Sequence, residues 1–213
     1  MSVKKKFWDN PYQTSLTTKI KEVYKDTVTL DETIFYAFSG GQDSDSGYIG
    51  EYNVIKAEKR GLDIVYTITK SHSLKSGDIV EIRIEWEKRY RLMKLHFAAE
   101  LILELVYQNY NHPEKIGANI TESKARLDFQ WDGKISDIFP DLTQKLKTII
   151  NADLSIKSEY EDMELQKRFW EIEKFAKVAC GGTHIKKTGE IGSFRLKREN
   201  IGKGKERIEV YLV

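Results

Sequence analysis

Asp78-Ile-Val-Glu-Ile-Arg-Ile-Glu-Trp86 alternates apolar and polar residues from Ile79 onward, which is typical of a strand with one buried face. The pattern changes at Trp86. Apolar residues then recur at helical spacing and predict a helix over about residues 89–110: Leu92, Leu95, Ala99, Leu103 and Val106. The chain therefore passes from strand-forming to helix-forming sequence at this point.

The first ninety residues are predicted to form short strands, because β-branched and aromatic residues cluster between glycine-containing turns. Several such strands with regular turn signals favour a small barrel or a sandwich. The predicted strands upstream of Asp78 are Thr27–Leu30, Ile34–Phe38, Tyr52–Ile55 and Ile64–Thr69.

After the long helix the pattern is mixed. Residues 116–120 and 125–131 are predicted as strands, and a second helix is predicted to begin at Asp141 as its N-cap, with Gln144 three residues later. Residues 160–177 fit either a helix or an extended arm. Two alternating segments, 192–197 and 207–213, are predicted as the closing strands.

The bulk composition limits the class of protein. A chain of 213 residues can form one large domain or two small ones. With 35 Lys and Arg against 33 Asp and Glu, a wrap around a polyanion is not expected, although a local basic patch could meet an RNA end. A single cysteine cannot form an intramolecular disulfide, and neither a secretory signal nor a membrane-spanning run is recognisable, so a reducing cytoplasm is expected.

Two short pairs of residues carry metal-binding chemistry. Cys180-Gly-Gly-Thr-His184 holds the only cysteine of the chain and one of its four histidines, and its glycines allow a tight loop. His96 and Glu100 are four residues apart, so a helix would place both on one face. Together these residues offer one sulfur, two nitrogens and one oxygen, a set that suits tetrahedral zinc. For each pair alone, a buried cysteine or an ordinary helical histidine is the alternative.

A basic and aromatic cluster, Lys88-Arg-Tyr-Arg91, lies at the head of the predicted long helix. The usual role of such a cluster is a solvated helix end. Contact with nucleic-acid phosphates is the alternative.

The order of the motifs resembles the editing domain of alanyl-tRNA synthetase and, in particular, the freestanding editing proteins of the AlaX type. The resemblance extends from about residue 28 to the C-terminus. It rests on five stretches: Gly40-Gly-Gln-Asp-Ser-Asp-Ser-Gly47, Arg91-Leu-Met-Lys-Leu-His96 with Glu100, Lys124-Ala-Arg-Leu-Asp-Phe129, Cys180-Gly-Gly-Thr-His184, and Thr188-Gly-Glu-Ile-Gly192.

The resemblance implies an α+β fold. A small β-barrel domain with the Gly-Gly-Gln loop would span residues 1–87. A zinc-binding editing domain, similar to the domain shared by threonyl- and alanyl-tRNA synthetases, would span residues 88–213.

The resemblance also implies a reaction, the hydrolysis in trans of the ester between a wrong amino acid and tRNA(Ala), chiefly serine and sometimes glycine. The expected partner is the acceptor end of mischarged tRNA(Ala), with neither a membrane nor ATP. The expected cofactor is zinc, which could activate a water molecule or hold the terminal adenosine or the amino group.

The candidate site residues fall into three groups. The metal ligands are His96, Cys180 and His184, with Glu100 either as the fourth ligand or as a general base. Gln42 is predicted to act beside Glu100 in catalysis and to read the serine hydroxyl. The remaining candidates are Ser39, Gly40, Gly41, Asp45 and Thr183 for the substrate and Lys124 and Arg126 for the tRNA.

Two positions depart from the family pattern. Glu100 stands where the family carries histidine, and Asp43 stands where its loop commonly carries proline. The first departure keeps alternatives open, namely a non-catalytic module in which zinc is a structural staple, and a hydrolase for another small aminoacyl-tRNA.

Overall fold

The computed structural model describes residues 2–213 as a mostly β-sheet structure with few helices, which agrees with the α+β class. The chain divides into two compact units. The first comprises the residues up to Ser39 together with Asp43–Arg91, and the second comprises Gly40–Gln42 and Leu92–Val213. The short Gly-Gly-Gln segment therefore packs with the second unit.

Six strands of the first unit pair in a closed order, β2-β3-β7-β6-β5-β8. A two-stranded parallel pair, β1 with β4, and the short helix α1 complete the unit. In chain order the elements are β1 (Lys4–Lys5), α1 (Lys6–Asp9), β2 (Ser15–Tyr24), β3 (Thr27–Leu30), β4 (Glu32–Thr33), β5 (Gly47–Ile49), β6 (Tyr52–Arg60), β7 (Asp63–Ile68) and β8 (Ile79–Ile84). Alternate residues of β7 point inward, and Ile64, Tyr66 and Ile68 are buried in the core of the ring.

Two local predictions for this unit need correction. Ile34–Phe38 is not a strand, because its backbone is held by Asp45: the N–H of Tyr36 donates to the Asp45 carboxylate at 2.6 Å. Strand β2 was missed because serine, threonine and lysine occupy much of it. Its inward positions nevertheless alternate, and Thr18 and Ile20 are buried.

The long helix α2 (Trp86–Asn109) contributes its residues up to Arg91 to the first unit and those from Leu92 onward to the second. Its apolar residues are not confined to one stripe. Nearly every residue between Leu92 and Val106 is buried, as expected for a helix packed on several sides.

The second unit contains two antiparallel sheets and a second long helix. One sheet has four strands in the order β14-β15-β10-β9, and the other has three in the order β11-β12-β13. The elements are β9 (Lys115–Ile120), β10 (Ala125–Gln130), α3 (Phe139–Asn151), β11 (Lys157–Asp162), β12 (Lys167–Ile172), β13 (Ala176–Ala179), β14 (Phe194–Gly202) and β15 (Lys205–Leu212), with 3-10 turns at Ile135–Ile138 and Thr188–Ile191.

Two predictions for the second unit are also corrected. Residues 160–177 form no helix but lie in strands β11 to β13, because β12 buries Phe169, Trp170 and Ile172. Helix α3 begins at Phe139 with Ile138 in the N-cap position, so Asp141 is not the cap. The Asp141 carboxylate instead accepts hydrogen bonds from Tyr110 and Lys145, both at 2.5 Å.

Within residues 2–213, none of the helices has the length and the apolar character needed to cross a lipid bilayer.

A buried ion pair anchors the first unit. The guanidinium of Arg89 donates to both carboxylate oxygens of Asp45, and to the backbone carbonyls of Ile34 and Pro11. The two side chains are 0% and 1% exposed. Loss of one partner would therefore leave a buried charge without compensation.

We predict that Asp45→Asn lowers the free energy of unfolding by about 3–5 kcal/mol, because the Arg89 charge loses its counter-ion. Denaturant unfolding followed by circular dichroism measures this change. Glu81→Gln is the matched control, since Glu81 forms an exposed pair with Arg83 and should cost less than about 1 kcal/mol. Equal stability of both variants would contradict a structural role for the buried pair.

Candidate metal centre

The structure brings together the two motif halves that are far apart in the sequence. His96 and Glu100 lie on one face of α2, and their side chains contact each other, with His96 Nε2 and Glu100 Oε1 separated by 3.2 Å. Cys180 follows β13 directly, and His184 lies on the loop after it. His96, Cys180 and His184 each offer one ligand atom, and these three atoms lie within 4.8 Å of one another.

The sulfur of Cys180 lies between the two imidazole rings. It is 3.4 Å from His96 Nε2 and 3.3 Å from His184 Nε2. Both histidines are almost fully buried, whereas Cys180 is half-buried. One sulfur and two imidazole nitrogens that face a common point form a donor set that fits a divalent metal of the zinc type.

The other nitrogen of each imidazole is held by a neutral polar group. His96 Nδ1 donates to Gln42 Oε1 at 2.5 Å, because an amide oxygen can only accept. His184 Nδ1 lies 2.9 Å from the hydroxyl of Ser158. These contacts hold both rings with Nε2 turned toward the Cys180 sulfur, which is the orientation in which a deprotonated Nε2 can bind a metal.

Gln42 is itself fixed on its other side and is fully buried. Its amide nitrogen donates to Thr183 Oγ1 at 3.0 Å. The carbonyl oxygen of the preceding residue, Gly41, accepts hydrogen bonds from the backbone N–H of Ile120 at 2.7 Å and from the Asn119 side chain at 3.0 Å. The loop therefore delivers Gln42 to His96 through backbone contacts with the end of β9.

At two positions only glycine fits, because neighbouring atoms lie too close to the backbone for a side chain. A Cβ on Gly182 would lie 2.2 Å from Cε1 of His96, and one on Gly41 would lie 2.7 Å from the carbonyl oxygen of Ala118. Gly41 also has a φ of 84°, which side-chain-bearing residues rarely adopt. The glycines of both motifs thus let the backbone reach the imidazole and strand β9.

The charges of the cluster favour the thiolate form of Cys180 and the protonated form of His96. Burial raises the pKa of the Cys180 thiol, but the neighbouring His184 and His96 rings outweigh burial and lower it. Burial opposes the protonation of His96, yet the Cys180 thiolate and the Glu100 carboxylate raise its pKa. A thiolate is the form of cysteine that binds a metal, so the lowered pKa of Cys180 favours metal binding, whereas His96 must release its Nε2 proton when a metal binds.

Glu100 lies beside the three ligands. Its Oε1 is 3.7 Å from the Cys180 sulfur, and its Oε2 accepts a hydrogen bond from the Trp170 indole at 3.1 Å. Burial raises the pKa of Glu100, but the hydrogen bond from His96 and the nearby charges lower it to about 2. The group is therefore a carboxylate at neutral pH, with one oxygen directed at the cluster.

The other predicted site residues are distributed over both units. Thr183 is buried next to Gln42, whereas Gly40 is exposed. Ser39 is half-buried in the first unit, where its carbonyl accepts from the Tyr36 hydroxyl, and Asp45 is engaged by Arg89. Lys124 directly precedes β10 and pairs with Glu209, and Arg126 lies on β10 and pairs with Asp128.

Sequence analysis missed two residues that contact the cluster. Ser158 holds His184, and Trp170 holds Glu100. Both lie in the segment 160–177 or just before it, which was not recognised as a sheet. The cluster of aromatic and β-branched residues Phe169, Trp170 and Ile172 was the available signal for a strand.

Comparisons with known proteins agree with this geometry. Residues 168–209, which contain the Cys180 motif, match the family model described as the threonyl and alanyl tRNA synthetase second additional domain. Residues 1–88 match the model for class II (A) tRNA synthetases. Alanyl-tRNA editing protein AlaX-M of Pyrococcus horikoshii is 28% identical, and the similarity covers 98% of this chain and 97% of the relative.

The resemblance to the alanyl-tRNA editing proteins is confirmed. The chain is also similar to alanine–tRNA ligases, with 31% identity to that of Methanococcus aeolicus and 32% to that of Staphylothermus marinus. It covers only 25% of each ligase but nearly all of the archaeal editing protein.

We predict that Cys180→Ala abolishes metal binding and that Ser158→Ala weakens it by about tenfold to a hundredfold, because the His184 ring loses the group that orients it. Competition with a chromophoric chelator measures both affinities. Ser155→Ala, which removes an exposed hydroxyl three residues earlier, serves as the matched control and should leave the affinity unchanged. An unaltered affinity in Ser158→Ala would show that the ring needs no such support.

Proposed function

We propose that this protein is a trans-editing hydrolase that deacylates mischarged tRNA(Ala), with Ser-tRNA(Ala) as the main substrate and Gly-tRNA(Ala) as the second. The observation that carries the proposal is the cluster of His96, Cys180 and His184, in a chain that matches an alanyl-tRNA editing protein over nearly its full length. The reaction is the hydrolysis of an aminoacyl ester, and the site of action is the cytoplasm.

Zinc is the proposed cofactor, because a thiolate with two imidazoles is its typical donor set. His96, Cys180 and His184 would hold it, and Glu100 is the candidate for a fourth position. When bound, it would supply a positive charge that polarises the ester or holds the substrate. A zinc ion with two anionic ligands, Cys180 and Glu100, gives a formally neutral site.

Glu100 is the residue with access to both the cluster and solvent. Its side chain is 19% exposed, and Trp170 fixes one of its oxygens. If its other oxygen is not engaged by the metal, the carboxylate can accept a proton from an attacking water molecule. The two roles exclude each other at any one moment.

Selectivity for serine over alanine follows from hydrogen bonding. A pocket that hydrogen-bonds a hydroxyl is left with an unsatisfied polar group when alanine enters. Thr183 is suited to this role, because its oxygen accepts from Gln42 and its own proton remains available. Gln42, which the sequence predicted as the reader of the hydroxyl, has both ends of its amide occupied by His96 and Thr183.

The domain assignment is likewise a proposal. The closed order of six strands in the first unit supports the family's β-barrel domain at about residues 1–87. The second unit supports the zinc-binding editing domain at about residues 88–213. Lys124 directly precedes β10 and Arg126 lies on it, and their side chains are 35% and 32% exposed, which supports their proposed contact with the tRNA backbone.

We predict that the purified protein hydrolyses Ser-tRNA(Ala) about tenfold to a hundredfold faster than Ala-tRNA(Ala), because one unsatisfied buried group costs about 1–3 kcal/mol. Release of radiolabelled amino acid measures both rates. Treatment with a chelator should stop the reaction, and added zinc should restore it.

Two results would reject this prediction. Comparable rates on both esters would exclude an editing function. No hydrolysis of either ester, with tRNA binding retained, would favour the non-catalytic module in which zinc is a structural staple.

We also predict that Gln42→Met slows the removal of serine and of glycine to the same degree and weakens metal binding about tenfold or more, since the His96 ring loses its orienting acceptor. Methionine is the matched change, because it is similar in length but offers no amide. If instead only serine removal slows, while glycine removal and metal affinity are retained, Gln42 reads the hydroxyl as the sequence predicted.

A further inference from the structure

A groove of about 520 Å³ lies in the second unit, between the C-terminal half of α2 and the edge strand β13. Its wall on α2 includes Glu104 and Tyr107, and its wall on β13 includes Lys177 and Ala179. Gln108 holds the two sides together, because its amide donates to the carbonyl of Phe175 at 3.3 Å, in the turn before β13. The metal chemistry described above uses none of these side chains.

Residues on both walls of the groove are close in the chain to residues of the metal centre. Glu104 lies one helical turn after Glu100 on α2, and Ala179 directly precedes Cys180. Ala179 and Gly181 are exposed and Cys180 is half-buried. The opposite side of the cluster is closed, since Gln42, Thr183 and His184 are at most 4% exposed. A ligand that reaches the cluster past Cys180 therefore has the groove beside it.

The groove presents an aromatic surface. The rings of Tyr107 and His112 are stacked, with their centroids 3.8 Å apart and an interplanar angle of 9°. His112 is exposed and Tyr107 is half-buried, so the pair forms a supported flat surface at the wall of the groove. Such a surface suits a nucleobase, because every base offers a face for stacking.

Two charged groups in the groove form no ion pair within residues 2–213, although the His112 ring lies near enough to Glu104 to lower its pKa slightly. No residue among 2–213 hydrogen-bonds the carboxylate of Glu104, which is half-buried, and burial raises its pKa. The ammonium of Lys177 lies 3.9 Å from the centre of the Phe169 ring, and no carboxylate in the described part of the chain pairs with it. The first group can accept from a ribose hydroxyl or a base amino group, and the second can bind a phosphate.

We infer that this groove binds the 3′-terminal nucleoside of the RNA substrate. The base stacks on the Tyr107–His112 pair, Lys177 contacts the adjoining phosphate, and Glu104 accepts a hydrogen bond from the sugar or the base. The ester attached to that nucleoside then lies next to Cys180 and Glu100. This inference rests on the proposed function, since it names the part of the same substrate that the groove holds.

The test is a binding experiment that needs no hydrolysis. Uncharged tRNA(Ala), with and without its 3′-terminal adenosine, is titrated with the full-length protein and followed by fluorescence anisotropy. The wild-type protein should bind the complete tRNA about tenfold more tightly, since stacking of one base contributes about 1–3 kcal/mol. His112→Ala and Lys177→Ala should each reduce this preference severalfold and leave the affinity for the shortened tRNA nearly unchanged.

Lys174→Ala is the matched control. Lys174 lies in the connection between β12 and β13, three residues before Lys177. Its side chain is 89% exposed, but it lies outside the groove. Its replacement should leave the preference for the complete tRNA intact. In the same way, Glu173→Gln is the matched control for Glu104→Gln and should leave this preference intact. Circular dichroism of each variant separates a local loss of binding from unfolding.

Three outcomes would overturn the inference: a wild-type protein without any preference for the terminal adenosine, groove variants that keep the full preference, or groove variants that lose affinity for both tRNAs equally. The outcome is independent of catalysis. A protein that shows the groove-dependent preference but hydrolyses no ester would refute the proposed function alone, and a hydrolase insensitive to the groove variants would refute the groove alone.

Discussion

The contact on which the second unit depends is that of the Cys180 sulfur with the Nε2 atoms of His96 and His184, at 3.4 and 3.3 Å. A buried thiolate is costly unless cationic or metal partners surround it. The two Nε2 atoms lie beside this sulfur, where a bound metal would supply the positive charge, and these contacts tie the loop after β13 to helix α2. The glycine loops, the neutral groups that contact the imidazoles and the groove are all arranged around this contact between helix α2 and the loop after β13.

Neutral groups, rather than charged ones, orient the ligands. Gln42 and Ser158 bind the outer nitrogens of the two imidazoles, and Trp170 binds the outer oxygen of Glu100. Neutral partners fix the direction of these side chains without adding charge to the cluster. The first unit uses the opposite solution at Arg89 and Asp45, where two buried opposite charges neutralise each other and hold an irregular segment in place.

The exposure of the metal centre is one-sided, and this asymmetry bears on the function. In a structural zinc site the protein fills all four coordination positions, whereas a site that acts on a substrate must also be accessible to that substrate. Here Gln42, Thr183 and His184 close one side, while Cys180, Gly181 and Glu100 remain within reach of solvent. The departure of Glu100 from the family's histidine therefore falls on the accessible side, where a change of ligand has the greatest effect on chemistry.

The sequence alone determined much of the local structure and the chemistry. Alternation predicted strands β3, β8 and the closing strands, and helical spacing predicted α2, because both periodicities arise from the backbone itself. Runs of β-branched and aromatic residues predicted β6 and β7. Residue type and short spacing also identified His96, Cys180 and His184, since metal ligands of one loop or one helical turn must be near neighbours in the chain. The sequence did not predict β2, because its polar residues hide the alternation. It also did not predict the strands of residues 160–177.

Only the tertiary structure decided which polar groups meet. The bond from His96 to Gln42 spans 54 positions and that from Gln42 to Thr183 spans 141, and no local pattern encodes such distances. The same holds for Asp45, a plausible substrate contact in the sequence that the structure pairs with Arg89. Partners of this kind are selected by packing, because the cost of burying an unsatisfied polar group is settled only when distant segments come together. A motif states which atoms are available, and the fold determines which of them face the metal, the solvent or each other.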